Sequence, residues 1–255
     1  MTPALDAETV AAYWRDGFTA LRGVVPAAEL AALAEECARL DRELDREALC
    51  GPLASPRRGP AGRAFFDRLD PATPWSPRFA ALVADRRLTG PVAAILGDAP
   101  LAFKDKILWK PPGTGGYTLH TDYDYWPDLG APADATLSAI LAIDAGRPEG
   151  GAIELFPGLH RASLPTRPDA PLDLDPASVA GAPSVFAVLE PGDVLVMHSA
   201  LPHRSGANAS PAARCSFFVS YGAARWGDLR ARYELGRRSA QARLTEPARP
   251  GTGDA

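Results

Sequence analysis

Apolar residues recur along this chain with two periods, and the change from one to the other falls near residue 100. Before it the pattern is helical. Asp6 can cap a first helix that runs to about Asp16, and Gly17 can stop it. Phe18 to Leu21 reads as a short strand. Pro26 opens a longer helix through Leu40, with Leu30, Leu33, Cys37 and Leu40 at helical spacing. Residues 50–63 hold Gly, Pro and Arg without periodicity and are expected to form a loop. Two more helices are expected, around Pro77 to Ala84 and around Gly90 to Leu96.

From Leu101 onward, short apolar runs alternate with Gly and Pro turns. They cover 101–110, 116–123, 135–144, 151–156, 184–189, 193–198 and 214–221. Short strands at this spacing predict a β-sandwich or jelly roll. Residues 223–245 return to a polar, helical pattern, and 246–255 read as a disordered tail. The expected plan is one domain over 1–245, mainly β with flanking α. A helical part (1–100) covers one face of a double-stranded β-helix core (101–222), a cupin-like jelly roll, and a C-terminal helix (223–245) follows.

Composition narrows the possible partners. Apolar content of 46% in 255 residues supports a real core. A net charge of −4 with no basic run argues against nucleic acid. The longest apolar run, Leu137 to Ile143, is too short to cross a bilayer. Cys37, Cys50 and Cys215 form no CxxC and no disulfide framework, so reduced thiols are expected. The first residues show no basic or apolar leader, which predicts a cytoplasmic protein. The partner is then a small molecule, and the protein is a monomer or a homodimer.

Chemistry enters at Tyr117 to Tyr123, a strand-like segment that contains His120 and Asp122. Residues two apart on a strand share a face, so an imidazole and a carboxylate would meet at one point. They supply two-thirds of a facial non-haem iron site. Asp124 is a rival carboxylate, one strand period further on. The chain has four histidines, and both His198 and His203 lie where a third ligand could come from. His160, in a Pro-Gly turn, reads as structural. Arg214 interrupts an apolar strand with Cys215, Phe217 and Val219, which points it inward towards an anion. By the same period, Tyr123 and Tyr125 fall on the face opposite His120. Trp126 and Asp128, just past the pair, are candidates for substrate contact, as are Arg204 and Arg161.

Several segments, taken in order, resemble the phytanoyl-CoA dioxygenase family of Fe(II)/2-oxoglutarate oxygenases. They are Tyr13 to Phe18 with Leu21 to Pro26, Val92 to Gly97, Trp109 to Gly113, Glu149 to Ala152, Phe156 to Arg161, Pro191 to Asp193, and His203 to Asn208. The resemblance implies that His120, Asp122 and His203 bind Fe(II) as the catalytic centre. It implies that Arg214 pairs with the distal carboxylate of 2-oxoglutarate, with Ser205 and Lys106 lining the cosubstrate pocket. A guanidinium fork suits that partner, because it matches a carboxylate at two points. O2 completes the reactant set.

The chain departs from the family pattern at Leu119, Thr121, Gly150, Ala152 and Leu159, none of which removes a ligand. Asp122 fills the position that related halogenases leave open for chloride, so the resemblance implies an oxygenase. The implied reaction is hydroxylation of an unactivated C–H bond in a small specialised metabolite, such as an antibiotic intermediate, a sugar moiety or an amino acid. Ring closure, orthoester formation or desaturation could come from the same site. A cupin-like metal-binding protein without oxygenase activity is the reading from another class. Such proteins more often use three or four His and Glu ligands and have no reason to keep Arg214.

Overall fold

The computed structural model describes residues 5–44, 54–58 and 64–245. Four helices and three strands precede the β-rich part. They are α1 (Ala7–Asp16), β1 (Phe18–Leu21), α2 (Ala27–Glu43), β2 (Ala54–Arg58), β3 (Ala64–Leu69), α3 (Pro77–Val83) and α4 (Arg86–Leu96). The strands that follow are β4 (Pro100–Lys110), β5 (Tyr117–His120), β6 (Thr136–Ala142), β7 (Ile153–Leu155), β8 (Thr166–Arg167), β9 (Ala170–Leu174), β10 (Val185–Phe186), β11 (Val194–His198), β12 (His203–Ser205) and β13 (Arg214–Ala223). Helix α5 (Leu229–Thr245) closes the described chain.

The helix ends obey their local signals. The Asp6 side chain accepts a hydrogen bond from the Thr9 amide at 2.7 Å, and Gly17 stops α1 with φ of 86°. That left-handed conformation is one that glycine adopts without strain. Leu30, Leu33, Cys37 and Leu40 form the buried stripe of α2.

Seven strands form the major sheet in the order β1-β11-β6-β13-β4-β3-β2. Four form the minor sheet, β10-β7-β12-β5, and β8 and β9 make a separate hairpin. All the pairings are antiparallel. The two faces of the major sheet do different work. On β13, Cys215, Phe217, Val219 and Tyr221 join the core that packs under the helices. Phe217 meets Phe79 of α3 with ring centroids 4.5 Å apart. Phe218 points the other way, into the core between the two sheets with Leu108, Ile140, Leu155 and Leu195. Strand alternation therefore puts Arg214, Ser216 and Ser220 on that inner face too.

The structure corrects several expectations. Residues 54–58 form β2 rather than loop, paired to β3, while the rest of 50–63, with Cys50, lies outside the described residues. The strand expected over 116–123 ends at His120, and Tyr123–Tyr125 form a 3-10 turn. β3, β12 and the β8–β9 hairpin carry no clear alternation in the sequence. The last helix starts at Leu229 instead of 223. The expected disordered tail, 246–255, lies outside the described residues. Among the described residues, no helix is long and apolar enough to cross a membrane. Cys37 and Cys215 are both unbridged, with their sulfurs 3.4 Å apart beneath α2.

Candidate metal and cosubstrate site

β5 and β12 pair so that His120 lies opposite His203, and their ring centroids are 4.3 Å apart. Gly116 makes this approach possible, because a Cβ there would collide with the Ser205 carbonyl. Asp122 follows the end of β5, where the Tyr123 amide donates to the Ser199 carbonyl at 2.9 Å and turns the chain. One donor atom from each of His120, Asp122 and His203 lies within 4.8 Å of the others. Among the described residues no other His, Cys, Asp or Glu cluster is arranged this way.

Each partner is held in the form a divalent metal needs. His120 Nδ1 lies 2.7 Å from the Thr118 carbonyl, and His203 Nδ1 lies 2.9 Å from the Leu201 carbonyl. A carbonyl can only accept, so both Nδ1 atoms carry the proton and both Nε2 lone pairs remain for the metal. Burial and the neighbouring His203 push the His120 pKa down to about 3, and burial lowers His203 as well. Burial alone would raise the Asp122 carboxyl, but the positive fields of Lys106 and Lys104 help to outweigh it and keep the group ionised. Ser138 Oγ donates to Asp122 Oδ2 at 3.0 Å and lies 3.0 Å from Ser220 Oγ. Two neutral imidazoles and one fixed carboxylate form a donor set suited to Fe(II) with open positions.

Register turns the inner face of the major sheet into a ladder of polar rungs. Lys104 pairs with Ser220, Lys106 with Phe218, Leu108 with Ser216 and Lys110 with Arg214. Ser220 in turn pairs with Ser138 on β6. Asp122 of the triad sits over the Ser138 rung, and Arg214 marks the other end. Arg214 is buried, and no described residue accepts from its Nε. The orphaned guanidinium is what an absent dicarboxylate would leave behind. Beside it, the Lys110 ammonium donates to Ser205 Oγ at 2.9 Å, Gly206 O at 2.5 Å and Gly151 O at 3.3 Å. Burial and the Arg214 charge lower Lys110 to about 8. Asn208 holds the intervening loop, donating to Lys110 O at 2.7 Å and Ala212 O at 2.8 Å.

Other sequence candidates separate cleanly. Ser205 lies on the inner side, where the Tyr117 amide and Lys110 both reach its hydroxyl. Lys106 lies over the Phe218 ring at 4.8 Å, nearer the triad than the Arg214 end. Trp126 is buried, edge to face with Phe103 at 5.0 Å, and its ring lies 5.5 Å from the Lys104 ammonium. Asp128 is exposed beside Gly236 of α5, and the structure does not bring it to the triad. Arg204, one residue past His203 on a strand, faces away and pairs with Glu154 at 2.7 Å. Arg161 donates to the Trp14 carbonyl. Asp124 is engaged by Thr121 Oγ1 at 2.6 Å. His198 hydrogen-bonds Asp134 at 3.1 Å and lies 4.8 Å, ring to ring, from His160, and it is not part of the converging donor set. Tyr125 does not face away from His120. Its ring sits edge-on at 5.5 Å, because the strand ends before it. Lys104, Lys110, Ser138 and Ser220 were not singled out from the sequence. The signal available was the run of Lys at 104, 106 and 110, all on one face of β4.

Comparison with known proteins gives the family and the fold. The methylphosphonate hydroxylase of Gimesia maris is 30% identical over 168 residues, 64% of this chain and 61% of its own length. The chain spans about half to three-fifths of the length of the first curated relatives it matches. EctD from S. alaskensis with bound Fe superposes with a TM-score of 0.73 at 25% identity, covering 87% of this chain and 78% of that one. The epimerase SnoN, in complex with Fe3+, alpha ketoglutarate and nogalamycin RO, has the same fold, with a TM-score of 0.70 at 23% identity over 97% and 91% of the two chains. The family model described as phytanoyl-CoA dioxygenase (PhyH) matches residues 13–216, and the chain belongs to that family.

Proposed function

We propose that the protein is an Fe(II)- and 2-oxoglutarate-dependent dioxygenase that hydroxylates an unactivated C–H bond of a small metabolite. One observation carries this reading. The His120, Asp122 and His203 donors converge within 4.8 Å, and the same sheet face ends in a buried Arg214 whose Nε has no partner. When bound, the iron with its cosubstrate and O2 supplies the oxidising power, and 2-oxoglutarate leaves as succinate and CO2. The chain's own residues position the reactants. His120, Asp122 and His203 offer three ligands on one side of the metal. Ser138 orients Asp122. Arg214 takes the distal carboxylate of the cosubstrate, in a pocket bounded by Ser205 and Lys106. Tyr125, edge-on to His120, borders the metal. That a metabolite of the specialised kind is the substrate is in keeping with the nogalamycin compound bound in SnoN.

The test is anaerobic addition of Fe(II) and 2-oxoglutarate. The reading expects the weak visible charge-transfer band of the chelate. Asp122→Ala should abolish 2-oxoglutarate turnover to succinate while circular dichroism stays unchanged. Absence of a band in the wild type, or full turnover in the variant, would refute the assignment.

A further inference from the structure

Lys104 makes no hydrogen bond within the site as described and acts there only through its charge on Asp122. Its rung partner Ser220 touches Ser138, which holds Asp122, so the lysine lies beside the metal ligands on the side away from Arg214. Its charge is one of those that lower the Asp122 carboxyl. The ammonium lies 5.5 Å from the Trp126 ring centroid and 5.5 Å from that of Tyr233 on α5. Among the described residues it makes no hydrogen bond and no ion pair within 4.0 Å. The nearby carboxylate, Asp70, is engaged elsewhere: Tyr233 donates to it at 3.4 Å and Arg237 lies 3.6 Å away. Trp126 adds a second donor without an acceptor, since its buried Nε1–H has no partner among the described residues.

Charge balance sharpens the point. Fe(II) with two neutral imidazoles and Asp122 carries one net positive charge, and 2-oxoglutarate brings two negative ones. Arg214 offsets the distal carboxylate. The metal site's own net positive charge offsets the metal-bound carboxylate, so Lys104 and Lys106 both add positive charge beyond what the cosubstrate balances. Burial acts against the Lys104 charge, but the fields of Tyr233, Asp70 and Asp122 outweigh it and raise its pKa, so a fully charged ammonium without a close acceptor stands beside the ligands.

We infer that Lys104, standing between Trp126 and Tyr233 beside the iron ligands, binds an oxyanion of the substrate, a carboxylate or a phosphonate-type group. This rests on the dioxygenase reading and names its substrate class. Held there, the anion fixes which C–H bond of the substrate faces the metal. The two aromatic rings hold the ammonium in place through cation–π attraction. Lys104 is in this sense a specificity-determining residue rather than a catalytic one.

The experiment uses the full chain loaded anaerobically with Fe(II) and 2-oxoglutarate. Methylphosphonate and acetate are titrated separately while the charge-transfer band is followed, with dimethyl methylphosphonate and acetamide as neutral counterparts. At least one anion should shift the band saturably, and which one does so distinguishes a phosphonate-type group from a carboxylate. The neutral counterparts should not shift it. Lys104→Gln should weaken the anion response by about tenfold or more, the loss of one charge-assisted hydrogen bond. It should still form the chelate band, which also shows that it has folded, and Lys104→Arg should recover much of the response. The inference is overturned by an equal response in Lys104→Gln, by equal binding of a neutral counterpart, or by no response to either anion. A missing band before any anion is added would instead sink the dioxygenase reading itself.

Discussion

Replacing Arg214 with methionine should separate cosubstrate binding from folding. The guanidinium is buried and its Nε has no described acceptor. Without cosubstrate it is a buried cation with no ion pair within 4.0 Å and only the field of Asp144 to offset it, so an apolar side chain of similar length should leave the fold about as stable. With cosubstrate the sign reverses. Each charge-assisted hydrogen bond to the distal carboxylate contributes about 1.5–3 kcal/mol. Losing the bidentate pair should cost on the order of 3 kcal/mol, or roughly 150-fold in Kd. At a 2-oxoglutarate concentration of about 100 Kd the wild type gains roughly 2.7 kcal/mol, which at about 2–4 °C per kcal/mol raises Tm by about 5–10 °C. At the same concentration the variant is below half-saturation and should shift by about 1 °C or less. Differential scanning fluorimetry with Fe(II), with and without 2-oxoglutarate, reads both effects. A variant that keeps the full ligand-dependent shift, or that melts several degrees below the wild type without ligand, refutes the assignment of Arg214 as the anchor.

Two further outcomes follow from the neighbours of these groups. Ser138→Ala removes the hydroxyl that orients Asp122. Metal affinity should fall about 10- to 100-fold in a competitive chelator titration, with 2-oxoglutarate still able to bind; an unchanged affinity would refute the orienting role. Lys110 gives up its proton near pH 8 in the folded chain, against 10.5 for an ordinary lysine. Between those values the unfolded chain binds more protons, so this group makes stability rise with pH. The Tm difference between wild type and Lys110→Met, measured without cosubstrate, should therefore move in favour of the wild type from pH 8 to 10. A constant difference would refute the depressed pKa.

Features resting on neighbours in the chain were legible in advance. Asp6 and Gly17 bracket α1 because a cap and a left-handed stop act over three or four residues. His120 and Asp122 are two residues apart, and their convergence survives the end of the strand between them. Arg214 showed its direction through alternation with Cys215, Phe217 and Val219, now buried under the helices. What stayed hidden depends on pairing across long stretches of chain. Arg204 looked available to substrate until β12 was seen beside β7, where Glu154 is its register partner. Tyr125 was assigned the wrong side because a period-2 count assumes a strand that in fact stops at His120. Lys104 acquires meaning only through Ser220, 116 residues later, which links it to Ser138 and Asp122.

The ladder on the inner sheet face also explains why the anchor is an arginine. Six residues separate Arg214 from Ser220 on β13, roughly 20 Å along an extended strand. Asp122 is tied to the Ser220 rung through Ser138, so a short dicarboxylate chelating the metal cannot reach the Arg214 backbone. A long cationic side chain must extend back along the sheet to meet it. The lysine alternative is already in use: Lys110, on the same rung, is tied to Ser205, Gly206 and Gly151. It spends its three donors on the loop instead of the ligand. Arginine keeps a planar fork at full extension and cannot lose its charge. A lysine at 214 would have the right sign but would share its rung with another buried ammonium whose pKa is already depressed. Arg214→Lys should therefore bind 2-oxoglutarate closer to Arg214→Met than to the wild type, although it keeps the positive charge.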